Sequence, residues 1–186
     1  MTNVDHPRFR IFIAELQAAI ESSHNEAEIL QAGSPLLRDL VSIDDWLPDA
    51  YAEADPVHYR QYLLHVDPEA RFSVVSFVWG PGQKTPIHNH TVWGIIGMLR
   101  GAEHEQHYRR REDGSLEAEH ELVLLSKGNV DAVSPDIGDL HSVANAFQDR
   151  SSISIHVYGA DIGKVERSVF QLDGTAKKFI SGYSNA

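Results

Sequence analysis

The apolar positions of this chain change period once, close to residue 59. Before that point they follow a helix. Phe9, Phe12, Ile13, Leu16, Ala19 and Ile20 recur at the i, i+3, i+4, i+7 spacing of a single helix face. Residues 25–32 predict a second, short helix, with Gly33 placed to end it. Ser34 then stands at an N-cap and Pro35 at a first helical position, so a third helix is expected from there.

From Tyr59 onward the alternation has period two, the signature of strands with one buried face. It predicts strands over Tyr59–Val66, Arg71–Trp79, Val92–Leu99, Glu103–Arg111, Leu116–Leu125, Asn129–Val133, Asp139–Ala144 and Ser151–Tyr158. Gly80-Pro81-Gly82 and Glu112-Asp113-Gly114-Ser115 mark turns between them. Many short strands without crossover helices predict a mainly β chain, an antiparallel jelly-roll barrel. The expected organisation is one domain over 1–186, with a helical cover (1–50), the barrel (58–172) and a polar tail (173–186).

Composition narrows the partners. With 186 residues and 42% hydrophobic content, the chain can build one real core. A net charge of -11 argues against nucleic acid or an anionic membrane as a partner. No apolar run approaches the roughly 20 residues of a membrane span. The absence of cysteine excludes disulfides, cysteine zinc sites and thiol catalysis by the protein itself. Residues 1–7 lack a basic segment followed by an apolar one, so no leader is expected, and the expected location is cytoplasmic. Exposed barrel edges leave the chain a monomer or a homodimer.

The chemistry concentrates in two segments. His88 and His90, one residue apart in a β-type stretch, are expected on the same face of a strand. His141 follows about fifty residues later, between Gly138 and Asn145. Three imidazoles brought together suit a transition metal, and Zn, Cu, Fe and Ni all accept them. As neutral ligands they leave the full +2 charge on a divalent ion, which can then take anionic donors. His104 and His107 sit among charges beside Arg109-Arg110-Arg111, and a solvated hairpin edge is expected there. On the last strand, Ser154, His156 and Tyr158 share one face at i, i+2, i+4. They can form one hydrogen-bond chain in which the imidazole accepts from one hydroxyl and donates to the other. An ordinary polar strand face is the competing reading. Val92, Trp93 and Ile95 are expected to line or back the pocket.

The segment from Gly82 through His88-Asn89-His90 to Gly101 resembles the first cupin motif, with Gly94 where many cupins have a glutamate. The segment Gly128, Pro135, Gly138, His141, Asn145 resembles the second, with one extra residue between the proline and the glycine. Three histidines in that order, followed by Ser154-x-His156-x-Tyr158, are similar to the thiol dioxygenases of the cysteine dioxygenase family. That resemblance runs from about Tyr59 to the C-terminus. It implies a cupin, or double-stranded β-helix, holding non-haem Fe(II) on His88, His90 and His141. It also implies a reaction that adds both atoms of O2 to a thiol sulfur to give a sulfinic acid. Tyr158, His156 and Ser154 would be the catalytic hydroxyl and its support.

Two departures refine what the resemblance implies. Mammalian members crosslink a cysteine to the tyrosine, so Tyr158 here must be uncrosslinked. They also carry an arginine on the strand before the first motif, where alignment puts Gln61. Gln61 resembles the bacterial 3-mercaptopropionate dioxygenases, in which an arginine shortly after the tyrosine helps anchor the substrate carboxylate. Arg167 matches that residue, and the closing Phe179-Ile-Ser-Gly-Tyr-Ser-Asn185 resembles the same subgroup. A one-residue slip would put Arg60 in place of Gln61 and favour cysteine. A surface ion pair with Glu166 or Asp161 is the competing role for Arg167. The expected substrate is 3-mercaptopropionate, with cysteine and mercaptosuccinate as alternatives. A metal-dependent isomerase and a sensor barrel compete from outside the dioxygenases.

Overall fold

The structure is a computed structural model, and it describes residues 3–185. Two helices come first, α1 (Pro7–Ser22) and α2 (Glu26–Ser42). Among the described residues, twelve strands follow. They are β1 (Arg60–Val66), β2 (Ser73–Trp79), β3 (Ile87–His88), β4 (Gly94–Arg100), β5 (Ala102–Arg110), β6 (Leu116–Ala118), β7 (Val123–Ser126), β8 (Val130–Val133), β9 (His141–Asn145), β10 (Ser152–Tyr158), β11 (Arg167–Phe170) and β12 (Ala176–Phe179). All pairings are antiparallel. One sheet runs β1-β2-β10-β4-β8, and the other β12-β11-β3-β9-β5-β6 with β7 also on β5. The two form the expected cupin-type double-stranded β-helix, with α1 and α2 packed on it. No described helix is long and apolar enough to cross a membrane.

The five-stranded sheet is buried on both faces, as the unbroken burial of β2 and β10 shows. Ile153, Ile155 and Val157 of β10 point outward and pack under the helices with Leu16, Leu37 and Val41. The other face of β10, carrying Ser154, His156 and Tyr158, therefore turns into the barrel. That face opposes Phe77, Val75 and Ser73 of β2. Contact between helix and sheet is close. A Cβ on Gly97 would meet the Leu37 Cγ at 2.9 Å, so glycine is what lets α2 settle on β4.

Several local expectations are corrected. Gly33 and Pro35 do not separate two helices, because α2 runs through both. Ser34 does not cap; its hydroxyl donates to the Leu30 carbonyl one turn back. Burial of Leu30, Gly33, Leu37, Leu40 and Val41 along one face outweighs the roughly 3 kcal/mol a mid-helix proline costs. The single strand expected over Leu116–Leu125 is two, β6 and β7, both on β5. The expected polar tail is tied to the barrel over its described residues. Within it β12 pairs with β11, and Ser184 and Asn185 hydrogen-bond Gln61 and Leu63 along the free edge of β1. That edge is thereby covered rather than left open. The leader expectation falls partly on Met1 and Thr2, and the tail ends on Ala186; these three lie outside the described residues.

Candidate metal centre

His88, His90 and His141 converge inside the barrel. Each offers a ligand nitrogen within 4.8 Å of the others, and their ring centroids are 4.7–4.9 Å apart. His88 and His141 meet because β3 and β9 pair at that residue. His90 arrives differently from the sequence expectation. Strand β3 ends at His88, so the period of two does not place His90. Asp139 does. Its carboxylate accepts the His90 backbone N–H and ring Nδ1 at 2.9 Å, and the Thr91 N–H at 2.8 Å. Thr91 takes a left-handed φ of 61° to allow this turn.

Every ring has its Nδ1 against an oxygen. His88 Nδ1 lies 3.1 Å from the Pro86 carbonyl, His90 Nδ1 meets Asp139, and His141 Nδ1 meets Glu105. The Pro86 carbonyl and the Asp139 carboxylate fix the proton on Nδ1 of His88 and His90 and leave their Nε2 lone pairs free. His90 Nε2 is buried with no partner. Burial also holds His88 and His90 well below the usual imidazole range, and His141 at about 3, so all three are neutral. A buried orphan nitrogen among three neutral imidazoles fits a divalent transition metal.

The supporting carboxylates were not found from sequence. Glu103, Glu105 and His107 alternate along β5 and face the barrel. The signal was present as E-x-E-x-H, but Arg109–Arg111 next to it made the stretch read as solvated. Arg109 and Arg111 do pair with Glu117 at the surface. His107, expected among those charges, instead turns toward Asp131 at 3.3 Å and Glu105 at 3.6 Å. Its pKa is raised, chiefly by the hydrogen bond to Asp131. Burial pushes Glu103 and Glu105 each up to about 8.

The Ser-His-Tyr row is continuous. Ser154 Oγ lies 2.8 Å from His156 Nε2, and His156 Nδ1 lies 2.8 Å from the Tyr158 hydroxyl. Tyr158 reaches a cavity of about 120 Å³ that also touches His88, Gln61, Arg167, Phe77 and Phe179. Gln61 therefore faces the site, while Arg60 turns away and pairs with Asp55. Arg167 forms neither competing ion pair, since Glu166 binds Lys178 and Asp161 binds Lys164. The Arg167 side chain is 4% exposed, donates to Ser181 at 2.7 Å, and stacks 4.8 Å from the Phe179 ring. Its Nε has no partner. Trp93 and Ile95 do not line the cavity; they belong to the core beneath the helices, and Val92 packs near Phe77.

The Asp139 clamp makes a prediction. Asp139→Ala keeps all three ligands but frees His90, and divalent metal affinity is expected to fall about 10–100-fold. Metal titration checks this; unchanged affinity would mean the loop holds His90 without the carboxylate.

Solved structures similar to this chain include an uncharacterized conserved protein with a double-stranded β-helix domain from Klebsiella pneumoniae subsp. pneumoniae MGH 78578. It is 15% identical with a TM-score of 0.48, over 72% of this chain and 87% of that one. A cupin superfamily protein from Desulfitobacterium hafniense DCB-2 is 13% identical with a TM-score of 0.47, over 64% and 94%. The family model for cysteine dioxygenase type I matches residues 36–168. That span holds all three histidines, the clamp that orients them and the whole of the Ser154-His156-Tyr158 row, and the chain belongs to the cysteine dioxygenase type I family.

Proposed function

We propose that this chain is a non-haem Fe(II) thiol dioxygenase whose substrate is 3-mercaptopropionate, converted with O2 to the corresponding sulfinic acid. Family membership supports a cupin dioxygenase in general terms; the substrate is read from the cavity. The observation that carries it is Arg167, a buried guanidinium on the cavity wall with no anion of its own. Burial lowers its pKa, yet an arginine stays protonated. A substrate carboxylate would supply the missing charge in the planar geometry a guanidinium prefers.

The rest of the wall sets the choice among thiols. Among the described residues no carboxylate lines the cavity, so the ammonium of cysteine would have no counter-charge there. Arg167 is the one cationic side chain among the described residues of the wall, so the second carboxylate of mercaptosuccinate would have no guanidinium or ammonium to pair with. Gln61 offers a neutral amide that hydrogen-bonds a carboxylate without adding charge. At about 120 Å³ the cavity is small beside the ~300–1,000 Å³ of ordinary ligand clefts, which suits a three-carbon acid.

When bound, Fe(II) would supply the place where thiolate and O2 meet and the redox chemistry between them. The balance closes without a co-reductant: sulfur gives four electrons, O2 takes four, and the thiol becomes a sulfinic acid. The protein's own groups bind and orient. Arg167 and Gln61 hold the carboxylate end. Tyr158 presents its hydroxyl at the cavity, fixed by His156 and Ser154. Phe77, Val169 and Phe179 exclude water.

The test is O2 uptake by the anaerobically Fe(II)-loaded protein with 3-mercaptopropionate, L-cysteine and mercaptosuccinate side by side. Uptake and sulfinate formation chiefly with 3-mercaptopropionate are expected. Preference for cysteine would overturn the substrate assignment. No uptake with any thiol, with iron verified in the site, would overturn the reaction.

A further inference from the structure

Arg167 and Gln61 stand on different sheets. Arg167 opens β11, beside the edge strand β12, and Gln61 lies on β1, the edge of the five-stranded sheet. The cavity takes its walls from both. One stretch of chain spans the two edges. Past β12, residues 181–185 cross from Arg167 to β1. Ser181 Oγ accepts from Arg167 Nη2 at 2.7 Å. Ser184 closes on Gln61 in both directions: its N–H donates to the Gln61 carbonyl at 2.7 Å, and its Oγ accepts the Gln61 N–H at 3.0 Å. The Asn185 side chain does the same at Leu63, accepting at 2.9 Å and donating at 3.1 Å. The crossing is also pinned in its middle. The Tyr183 hydroxyl accepts the Gly163 N–H at 2.9 Å and donates to Asp161 at 2.6 Å. A Cβ on Gly163 would meet the Tyr183 ring at 2.4 Å, so glycine is what admits the ring.

We propose that Ser181 is a positioning residue for substrate binding. It fixes the rotation of the Arg167 guanidinium so that the remaining N–H groups meet the substrate carboxylate. The strap it begins, residues 181–185, sets Arg167 relative to Gln61. The inference rests on the reading of Arg167 as the carboxylate anchor. An arginine side chain has many rotamers, and a carboxylate takes two parallel N–H groups only from a guanidinium held in one of them. Phe179, 4.8 Å away, supports one face of the group. Stacking on a ring sets the plane of a guanidinium but leaves it free to turn within that plane. A hydrogen bond to one Nη removes that freedom. Among the described residues, Ser181 is the one group that accepts from Arg167.

The choice of serine matters. A hydroxyl accepts from the guanidinium without neutralising it, and Arg167 keeps its charge and its unpartnered Nε for a ligand. An aspartate in that place would form the buried ion pair itself and leave a carboxylate ligand nothing to add. The strap also walls off the site. Tyr59 and Gln61 line both the substrate cavity and an outer groove of about 390 Å³, and Ser181, Gly182, Tyr183 and Ser184 line that groove. The segment that holds Arg167 is therefore the same one that separates the site from the surface. Covering the β1 edge requires only Ser184 and Asn185. The contact between Ser181 and Arg167 serves no edge.

Anaerobic binding to the Fe(II)-loaded full chain tests this. Calorimetry compares 3-mercaptopropionate with 3-mercaptopropan-1-ol, a thiol of the same length without a carboxylate. Ser181→Ala should raise the Kd for the acid about 10-fold, the scale of one hydrogen bond to a charged group, and lower the preference for acid over alcohol by the same factor. Ser181→Thr keeps a hydroxyl and should bind close to wild type. Ser181→Val has the same shape without the hydroxyl and should match the alanine variant, so this pair gives the answer even where alanine impairs folding. In an Arg167→Ala background, Ser181→Ala should change nothing further, because the serine acts through the arginine. A merely structural serine would weaken both thiols together and in either background. Undiminished preference for the acid in Ser181→Ala and Ser181→Val, or a loss that persists without Arg167, would overturn the inference. An Arg167→Ala variant that binds the acid as tightly as wild type would overturn the substrate reading along with it. Weakened binding in Arg167→Ala beside unaffected serine variants would overturn this inference alone.

Discussion

Replacing His88 with alanine is expected to remove tightly held metal while leaving the metal-free fold intact. His88 is the cleanest of the three ligands to delete. Its Nδ1 meets only the Pro86 carbonyl, whereas removing His141 or His90 would strand the buried Glu105 or the Asp139 clamp. Losing a ligand outright should cost more than the ~10–100-fold in affinity that loss of a supporting partner costs. Iron at stoichiometric loading should then fall to trace occupancy, and thiol-dependent O2 uptake should fall to background. Melting of the metal-free protein should change little. Metal analysis, calorimetric unfolding and an oxygen electrode check the three parts. Lost iron binding with thiol oxidation intact would remove the three histidines from the reaction.

The pattern of that site was readable because metal ligation leaves short, rigid spacings in the sequence. His88-x-His90 and His141 stood out, and so did Ser154, His156 and Tyr158 at alternate positions. What could not be read was the means. Sequence spacing suggested one strand carrying both His88 and His90, but the strand stops at His88 and a carboxylate 49 residues away pulls His90 in. The inward turn of Ser154, His156 and Tyr158 is likewise a tertiary fact. Those residues face the barrel because helices claim the apolar face of β10, which inverts the usual rule that polar faces look outward. Glu103, Glu105 and His107 stayed hidden because a buried carboxylate and a solvated one look alike in a string of letters. Pro35 misled for a related reason: its local cost is visible in sequence, and the packing that overrides it is not. The choice between Arg60 and Gln61 needed only the sign of one strand face, which the Asp55 pair and the cavity supply.

Arg167→Ala is expected to separate binding from stability. Loss of one partner of a desolvated charge pair costs about 2–5 kcal/mol. At about 1.36 kcal/mol per tenfold, the lower half of that range is roughly 30- to 400-fold in kcat/KM for 3-mercaptopropionate. The loss should sit in KM, because the carboxylate is held equally before and during reaction at sulfur. A thiol of the same size without a carboxylate should be nearly indifferent to the change. Arg167→Lys should recover only part, since an ammonium cannot stack on Phe179 or present two parallel N–H groups. Stability should move the other way. In the free protein Arg167 is a buried cation whose Nε has no partner and which forms no ion pair, so deleting it removes an unpaid desolvation penalty. The alanine variant should therefore unfold no earlier than the wild type, and addition of 3-mercaptopropionate should stabilise the wild type but not the variant. A variant that melts early and loses both thiols equally would show Arg167 to be a structural residue. One that melts as late as the wild type and loses only the carboxylate-bearing thiol would show that the fold bears this charge for its ligand.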